Sequence, residues 1–404
     1  MYNNIRNNFT KNINVLFKLN RLSFSSNQIK IPLVKALGSI ELNESDFPKE
    51  TSTTKEELID YFKKLNIMRR IEISSDELYK NKQIRGFCHL YIGQESIALG
   101  MDEGLTYEDP LITAYREHCQ AYMRGFNARE IISEMMSRST GATKGKGGSM
   151  HYYNKKNNFY GGNGIVGAQI PVGTGLAFAL KYLKKKQSVF TMFGDGSVNQ
   201  GQFLEAINMA GLWKLPIVYV IENNKYGMGT SVDRSNYHLP IYSKFRSFPG
   251  LKIDGMDVFT IREFTKYCKN YVINNGPMLL EIDTYRYQGH SMSDPGITYR
   301  TKDEVQEVRK TRDNIEKVKN IILDNKLLSE KEIKDIEKSI KNDINDIVEQ
   351  CKKDPYPKEE ELFSEVYVNQ ETMFIRGVDM ESSYNKDLFE SYLKGTHKQT
   401  QVDK

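Results

Sequence analysis

The segment from Ser188 to Tyr226 constrains the fold more than any other part of this chain. A strand-sized apolar run, Ser188–Phe193, ends in Gly194-Asp195-Gly196-Ser197. A helical pattern over Gln202–Trp213 returns the chain, and a second apolar run, Pro216–Glu222, ends in Asn223-Asn224. Strand, helix and strand imply a parallel pair joined by a crossover. Both strands then finish at one sheet edge, where open α/β folds bind ligands. Asp195 and Asn224 are expected to meet there. One carboxylate, one amide oxygen and a nearby backbone carbonyl make a partial shell for Mg2+, which takes oxygen ligands and completes its octahedron with phosphate and water. Gly196 and Ser197 are expected to open the following helix, with their N–H groups toward a diphosphate.

The surrounding sequence extends this pattern. Thr54 followed by Glu57 reads as a capping box, and Leu58, Phe62, Leu65 and Met68 mark an amphipathic helix. From about 85 to 300, glycines cluster and short β-rich runs, Met278–Tyr285 among them, alternate with helical patterns. The expected class is α/β, with a mostly parallel central sheet flanked by helices. Residues 302–352 are rich in Lys, Glu, Asp and Ile and read as solvated helices; the chain beyond Asp354-Pro355 reads as a polar tail.

A net charge of +5 invites a nucleic-acid reading, which its location excludes. Arg6, Lys11, Lys18, Arg21, Lys30 and Lys35 precede the first acid, Glu41, so the N-terminal segment alone accounts for the basic excess. An acid-free basic stretch containing Ser23, Ser25 and Ser26 is similar to a mitochondrial transit peptide. No run approaches the roughly 18 apolar residues of a membrane span. Cys88, Cys119, Cys268 and Cys351 are widely spaced, without a C-x-x-C pair, as expected for free thiols in a reducing compartment.

Gly194-Asp195-Gly196, then 26 residues, then Asn223-Asn224 resembles the thiamine-diphosphate signature of the transketolase-like and 2-oxoacid dehydrogenase families. Gly86-Phe87-Cys88-His89-Leu90, Thr113-Ala114-Tyr115-Arg116, Lys144–His151 and Tyr285–Ser291 narrow the resemblance to the alpha subunits of the 2-oxoacid dehydrogenases, and among them to the pyruvate branch. The likeness covers roughly residues 55–315. It implies a cofactor-binding domain there, preceded by a transit peptide at 1–26 and a linker at 27–54, and followed by a helical extension and tail at 316–404.

The resemblance further implies that Asp195, Asn224 and the backbone carbonyl of Tyr226 ligate Mg2+. Tyr115 and Arg116 would hold the diphosphate, helped by Gly196, Ser197 and His290. Gly164 and Val166 would hold the aminopyrimidine through their backbones. His89, with Tyr115, would contact substrate or the reacting intermediate. The family's glutamate at the pyrimidine nitrogen lies on a second domain that this chain lacks. A separate beta subunit, an α2β2 tetramer and active sites between subunits are therefore implied, with acyl transfer to the lipoyl domain of dihydrolipoamide acetyltransferase in the mitochondrial matrix. Ser291, Thr298 and Ser231 match positions phosphorylated in animal relatives, implying a kinase and a phosphatase as further partners. A branched-chain 2-oxoacid dehydrogenase alpha subunit and an inactive scaffold subunit are the alternatives. Intact Asp195, Asn224, Arg116 and His89 argue against the scaffold.

Three features read as non-catalytic. Gly162-Asn163-Gly164-Ile165-Val166-Gly167 matches G-x-G-x-x-G but follows Asn154–Asn158, a loop composition, where a dinucleotide fingerprint needs a strand. Glu95 reads as helix-start scaffolding. His118, His151, His238 and His397 read as structural.

Overall fold

In the computed structural model, which describes residues 28–245 and 248–362, strands β1 (Ile29–Pro32), β2 (Gly38–Ile40) and β3 (Glu50–Thr53) precede helix α1 (Lys55–Lys80). Helix α2 (Glu95–Gly104), strand β4 (Leu111–Ile112) and helices α3 (His118–Met123), α4 (Ala128–Met135) and α5 (Gln169–Tyr182) follow. Next come β5 (Val189–Gly194), α6 (Gly201–Leu212), β6 (Ile217–Asn223), β7 (Tyr226–Gly227), β8 (Thr230–Ser231), α7 (Val232–Ser235), β9 (Gly250–Asp254), α8 (Val258–Asn275) and β10 (Met278–Asp283). Helices α9 (Lys302–Arg312), α10 (Asn314–Asp324) and α11 (Glu330–Lys353) complete a compact unit that extends to Pro355.

The central sheet has the order β2-β9-β10-β6-β5-β4, parallel throughout except for the edge strand β2. A parallel sheet covered on both faces needs apolar side chains on both. Phe190, Met192, Val218 and Val220 enter the larger core, whereas Val189, Phe193, Ile217, Tyr219 and Ile221 enter the core beneath α5 and α6. The alternation follows the two-residue side-chain period of a strand.

Helices α2 and α8 pack closely through glycine. A Cβ at Gly100 would lie 2.7 Å from the Ile261 Cβ, and one at Gly104 would lie 2.7 Å from the Thr265 Cβ. Small residues one turn apart allow this backbone approach, which orients the chain entering β10.

Three sequence readings are revised. Residues 27–54 are not merely a linker, since β1 pairs with β3 and β2 extends the central sheet; edge strands with exposed faces carry little apolar signal. The helices beyond 315 are not simply solvated. Ile315, Val318, Ile322, Ile333, Ile340, Ile344 and Val348 join the larger core, while the opposite helix faces hold the charges that dominate the composition. The capping box at α1 is half formed: the Thr54 side chain accepts from the Glu57 amide, but the Glu57 carboxylate accepts from the Thr53 hydroxyl. The transit-peptide segment and His397 lie outside the described residues. Among the described residues, no helix is long and apolar enough to cross a membrane.

Candidate active site

β5 and β6 run in parallel with Gly194 opposite Glu222, so Asp195 and Asn224 emerge at the same sheet edge. Asp195 is 1% exposed, and its Oδ2 has no hydrogen-bond partner. Burial pushes its pKa up to about 6, against the opposing pull of its own amide, Arg286 and the Asn224 amide. An orphaned buried carboxylate oxygen is costly unless a cation satisfies it. Asn224 donates from Nδ2 to Gln94 Oε1 at 3.1 Å, which directs its Oδ1 the other way. Arg286 Nη1 donates to that oxygen at 3.2 Å and to the Tyr226 carbonyl at 3.1 Å, so the two acceptors converge. Among the described residues, no group of three His, Cys, Asp or Glu side chains is arranged for a metal. The fitting set is instead one carboxylate with two neutral oxygens, which suits a hard divalent ion.

The turns bearing these groups touch: a Cβ on Gly196 would meet the Gly227 Cα at 3.5 Å. Lys225 and Met228 adopt positive φ values of 76° and 56°. Non-glycine residues in that region store strain, which concentrates at functional sites. Gly196 and Ser197 do not open the α-helix as expected. They lie in a 3-10 turn, Asp195–Asn199, because extended backbone at Gln200 (φ −75°, ψ 137°) delays α6 until Gly201.

His89, Tyr115, Arg116 and His290 form a second cluster. The Tyr115 ring lies 4.3 Å from the His89 ring, and the His89 and His290 rings are 5.2 Å apart and nearly perpendicular. Buried Arg116 donates to the Leu90 carbonyl at 2.6 Å and to the His290 carbonyl at 2.8 Å, securing the two histidine-bearing segments to each other. Desolvation, followed by Arg116, lowers the His89 pKa to about 2 and that of His290 to about 4. Both imidazoles are therefore neutral at physiological pH, and the Nδ1 atoms of both lack hydrogen-bond partners.

Gly164 and Val166 lie in a turn, with Ile165 76% and Val166 43% exposed. A Cβ on Gly167 would meet Gln200 at 3.3 Å, placing this turn beside the one that carries Asp195. No strand precedes it: a 3-10 turn, Lys155–Asn157, and irregular chain do. The Lys144–His151 loop is shaped by Glu134, whose carboxylate accepts from the amides of Thr143, Gly145 and Gly147 at 2.7–2.8 Å. Ser291 and Ser293 share a hydrogen bond of 2.9 Å, Thr298 is exposed, and Ser231 pairs with Tyr226 across β7 and β8.

Glu95 is fully buried in an ion pair with Arg69, itself bound to Asp313, which makes it structural. His118 is likewise enclosed between Glu72 and Ser149. His151 lies near Gly164 with its Nδ1 3.0 Å from the Tyr153 hydroxyl, and His238 meets Ser243.

Sequence reasoning missed Gln94, Glu222 and Arg286. Glu222 is hydrogen-bonded to the Tyr91 hydroxyl, and burial pushes its pKa up to about 7. A polar residue closing an otherwise apolar strand was the available signal. Arg286 is 1% exposed, and burial, then Arg116, lowers its pKa to about 10. Its place between Tyr285 and Tyr287 does not by itself distinguish it from an ordinary surface arginine.

A family model described as the dehydrogenase E1 component matches residues 63–360. The chain is 50% identical over 320 residues to the mitochondrial pyruvate dehydrogenase E1 component subunit alpha-1 of Arabidopsis thaliana, covering 79% of this chain and 82% of the plant protein. It is 50% identical over 335 residues to the corresponding alpha subunit of Dictyostelium discoideum, covering 83% and 88% of the two chains. The Schizosaccharomyces pombe counterpart is 50% identical over 332 residues, or 81% of each chain.

Proposed function

The chain belongs to the dehydrogenase E1 component family, and on that premise we propose that it is the alpha subunit of a mitochondrial pyruvate dehydrogenase. It works with a beta subunit and thiamine diphosphate to decarboxylate pyruvate and reductively acetylate a lipoyl group. The observation that carries this reading is the convergence of the Asn224 Oδ1 and the Tyr226 carbonyl on one Arg286 nitrogen, in a turn where a Cβ at Gly227 would lie 3.9 Å from the unpaired Oδ2 of Asp195. These are the oxygens that would hold Mg2+, and through it the diphosphate.

Thiamine diphosphate supplies the carbon nucleophile and the electron sink for loss of CO2. The residues of this chain position and desolvate. Asp195 contributes the anionic oxygen, Asn224 and Tyr226 the neutral ones, and the amides of Gly196 and Ser197 lie in the adjoining turn. Arg116 presents a guanidinium fork suited to phosphate oxygens, with Tyr115 at its side. His89 and His290, neutral for the reasons given, can donate or accept a hydrogen bond at substrate without placing a charge there. The backbones of Gly164 and Val166 are assigned to the aminopyrimidine.

The exposed apolar pair Ile165 and Val166 supports burial of this turn against a beta subunit in an α2β2 tetramer. The acidic partner of the pyrimidine would come from that subunit. The transit-like N-terminus and the mitochondrial names of the relatives support a matrix location. The proposal extends to a kinase and phosphatase acting on Ser291, Thr298 and Ser231. A phosphoryl group adds about −1.5 to −2 charges, here beside His290 and Asp294.

The test is co-expression with the beta subunit and measurement of CO2 release. The proposal requires release from pyruvate that depends on thiamine diphosphate and Mg2+ and exceeds release from branched 2-oxoacids. Cofactor-independent release, or a preference for branched substrates, would contradict it.

A further inference from the structure

Glu117 follows Tyr115-Arg116 directly and is fully buried. It stands at the N-cap of α3, where a side-chain oxygen ordinarily accepts from the helix amides, but it makes no such bond. Its carboxyl reaches instead toward two other segments. Oε1 accepts from the Tyr152 amide at 3.0 Å, and Oε2 lies 3.2 Å from the Thr113 hydroxyl. A Cβ at Gly162 would lie 2.1 Å from that Oε1 and 2.4 Å from the Met150 carbonyl, so the carboxyl packs directly on the Gly162 backbone.

This acid is neutral. Burial pushes its pKa well above the usual carboxylate range, against the opposing pull of the Tyr152 amide and the Thr113 hydroxyl. The hydrogen-bond pattern agrees. The Thr113 hydroxyl has one hydrogen and lies 3.2 Å from both the Gly161 carbonyl and the Glu117 Oε2. The carbonyl can only accept, so a protonated Glu117 completes a chain from carboxyl to hydroxyl to carbonyl. Further bonds tie the same pieces together. The Thr113 amide donates to the Gly161 carbonyl at 2.9 Å, the Asn163 side chain to the Thr113 carbonyl at 3.2 Å, and the Tyr153 hydroxyl to the Gly162 carbonyl at 3.0 Å.

We propose that Glu117 is a positioning residue that sets the spacing between the two grips on the cofactor, Tyr115-Arg116 at the diphosphate and the Gly164–Val166 turn at the aminopyrimidine. This rests on the assignment of those residues to the two ends of thiamine diphosphate. Arg116 is the residue before Glu117, and Gly164 comes two residues after Gly162, so a displaced carboxyl is felt at both grips. A ligand held at two ends gains from the second only when geometry lets both engage at once. Without the brace each grip survives, but the two fall out of register. Because the brace is uncharged, an amide of the same shape can replace it.

The test is calorimetry on the complex with the beta subunit, with Mg2+ present throughout. Thiamine diphosphate is compared with inorganic pyrophosphate, which reaches the diphosphate grip alone. Glu117→Ala should bind pyrophosphate within about twofold of wild type, and thiamine diphosphate about tenfold or more weaker. Glu117→Gln can accept from the Tyr152 amide and donate to the Thr113 hydroxyl, and should bind both ligands within about threefold of wild type. Thr113→Val keeps the acid but removes the hydroxyl link; it should show a smaller loss confined to thiamine diphosphate, and it decides the matter if Glu117→Ala does not assemble. Equal loss of both ligands in Glu117→Ala overturns the proposal, since it marks general damage, and so does wild-type binding of both. Glu117→Gln as weak as Glu117→Ala overturns it too, as does a wild-type ratio of affinities in Thr113→Val. Failure of the wild-type complex to bind either ligand instead removes the assignment of the two grips.

Discussion

His89 and His290 meet edge to face with their ring centroids 5.2 Å apart, and Arg116 depresses the pKa of both. Desolvation is the larger cause for each, and the pair is held neutral in the folded protein. An unfolded histidine titrates near 6.5, whereas His290 in the fold titrates at about 4. As pH falls from about 6.5 toward 4, the unfolded chain takes up a proton that the native state refuses, so stability is lost in that window. Asp195 and Glu222, with raised values, act in the opposite sense, so the total slope mixes both. The clean quantity is the stability of wild type minus that of His290→Asn. It should be constant above pH 7 and fall by about 1–3 kcal/mol by pH 4, as read from denaturation midpoints across pH.

Arg116 bonds two carbonyls that have no other access to its charge, those of Leu90 and His290. Arg116→Met should leave the buried Leu90 carbonyl unpaired, at about 1–3 kcal/mol, and the part-buried His290 carbonyl to be met by water at a smaller cost. It should also weaken thiamine diphosphate binding by at least tenfold. Thermal melts without cofactor and calorimetric titration with it separate the two effects.

Packing far from the site gives an independent check on the fold. Gly100→Ala places a methyl 2.7 Å from the Ile261 Cβ and 2.8 Å from the Val258 carbonyl. Because both neighbours belong to α8, the helices must separate, at a cost of about 1–3 kcal/mol. The melting temperature should fall while cofactor affinity stays within about twofold, since no candidate site residue lies at this crossing.

Ser291 sits next to His290, and its hydroxyl is shared with that of Ser293. Ser291→Glu adds a negative charge near Asp294, which already accepts three hydrogen bonds within the same loop. Activity of the complex with the beta subunit should fall at least tenfold. Full activity in this variant would count decisively against inhibition by phosphorylation.

How much of this was legible in the residues depends on the kind of signal. Asp195 and Asn224 could be brought together from sequence because parallel strands end together, and the apolar runs that mark those strands are unambiguous. The edge strands β1 to β3 and the buried stripe of α11 were not legible. Their few apolar residues are diluted by exposed charge, and burial depends on partners distant in the chain. Ser197 was expected to open a helix, but a single extended residue, Gln200, puts it in a 3-10 turn instead. Arg286 and Gln94 carry no local mark at all, because their roles follow from contacts with Asn224, which only the fold creates.

The central claim is that Asp195, Asn224 and Tyr226 form a cation site that holds the cofactor diphosphate, and Asp195→Asn tests it most directly. At pH 7 the buried Asp195 carboxylate, with a pKa near 6, is ionised at a cost to folding, so the neutral amide should raise the melting temperature of the unloaded protein. Calorimetry should at the same time show Mg2+-dependent thiamine diphosphate binding in wild type and its loss, by at least a hundredfold, in the variant. Wild-type affinity in a well-folded Asp195→Asn protein would contradict the account.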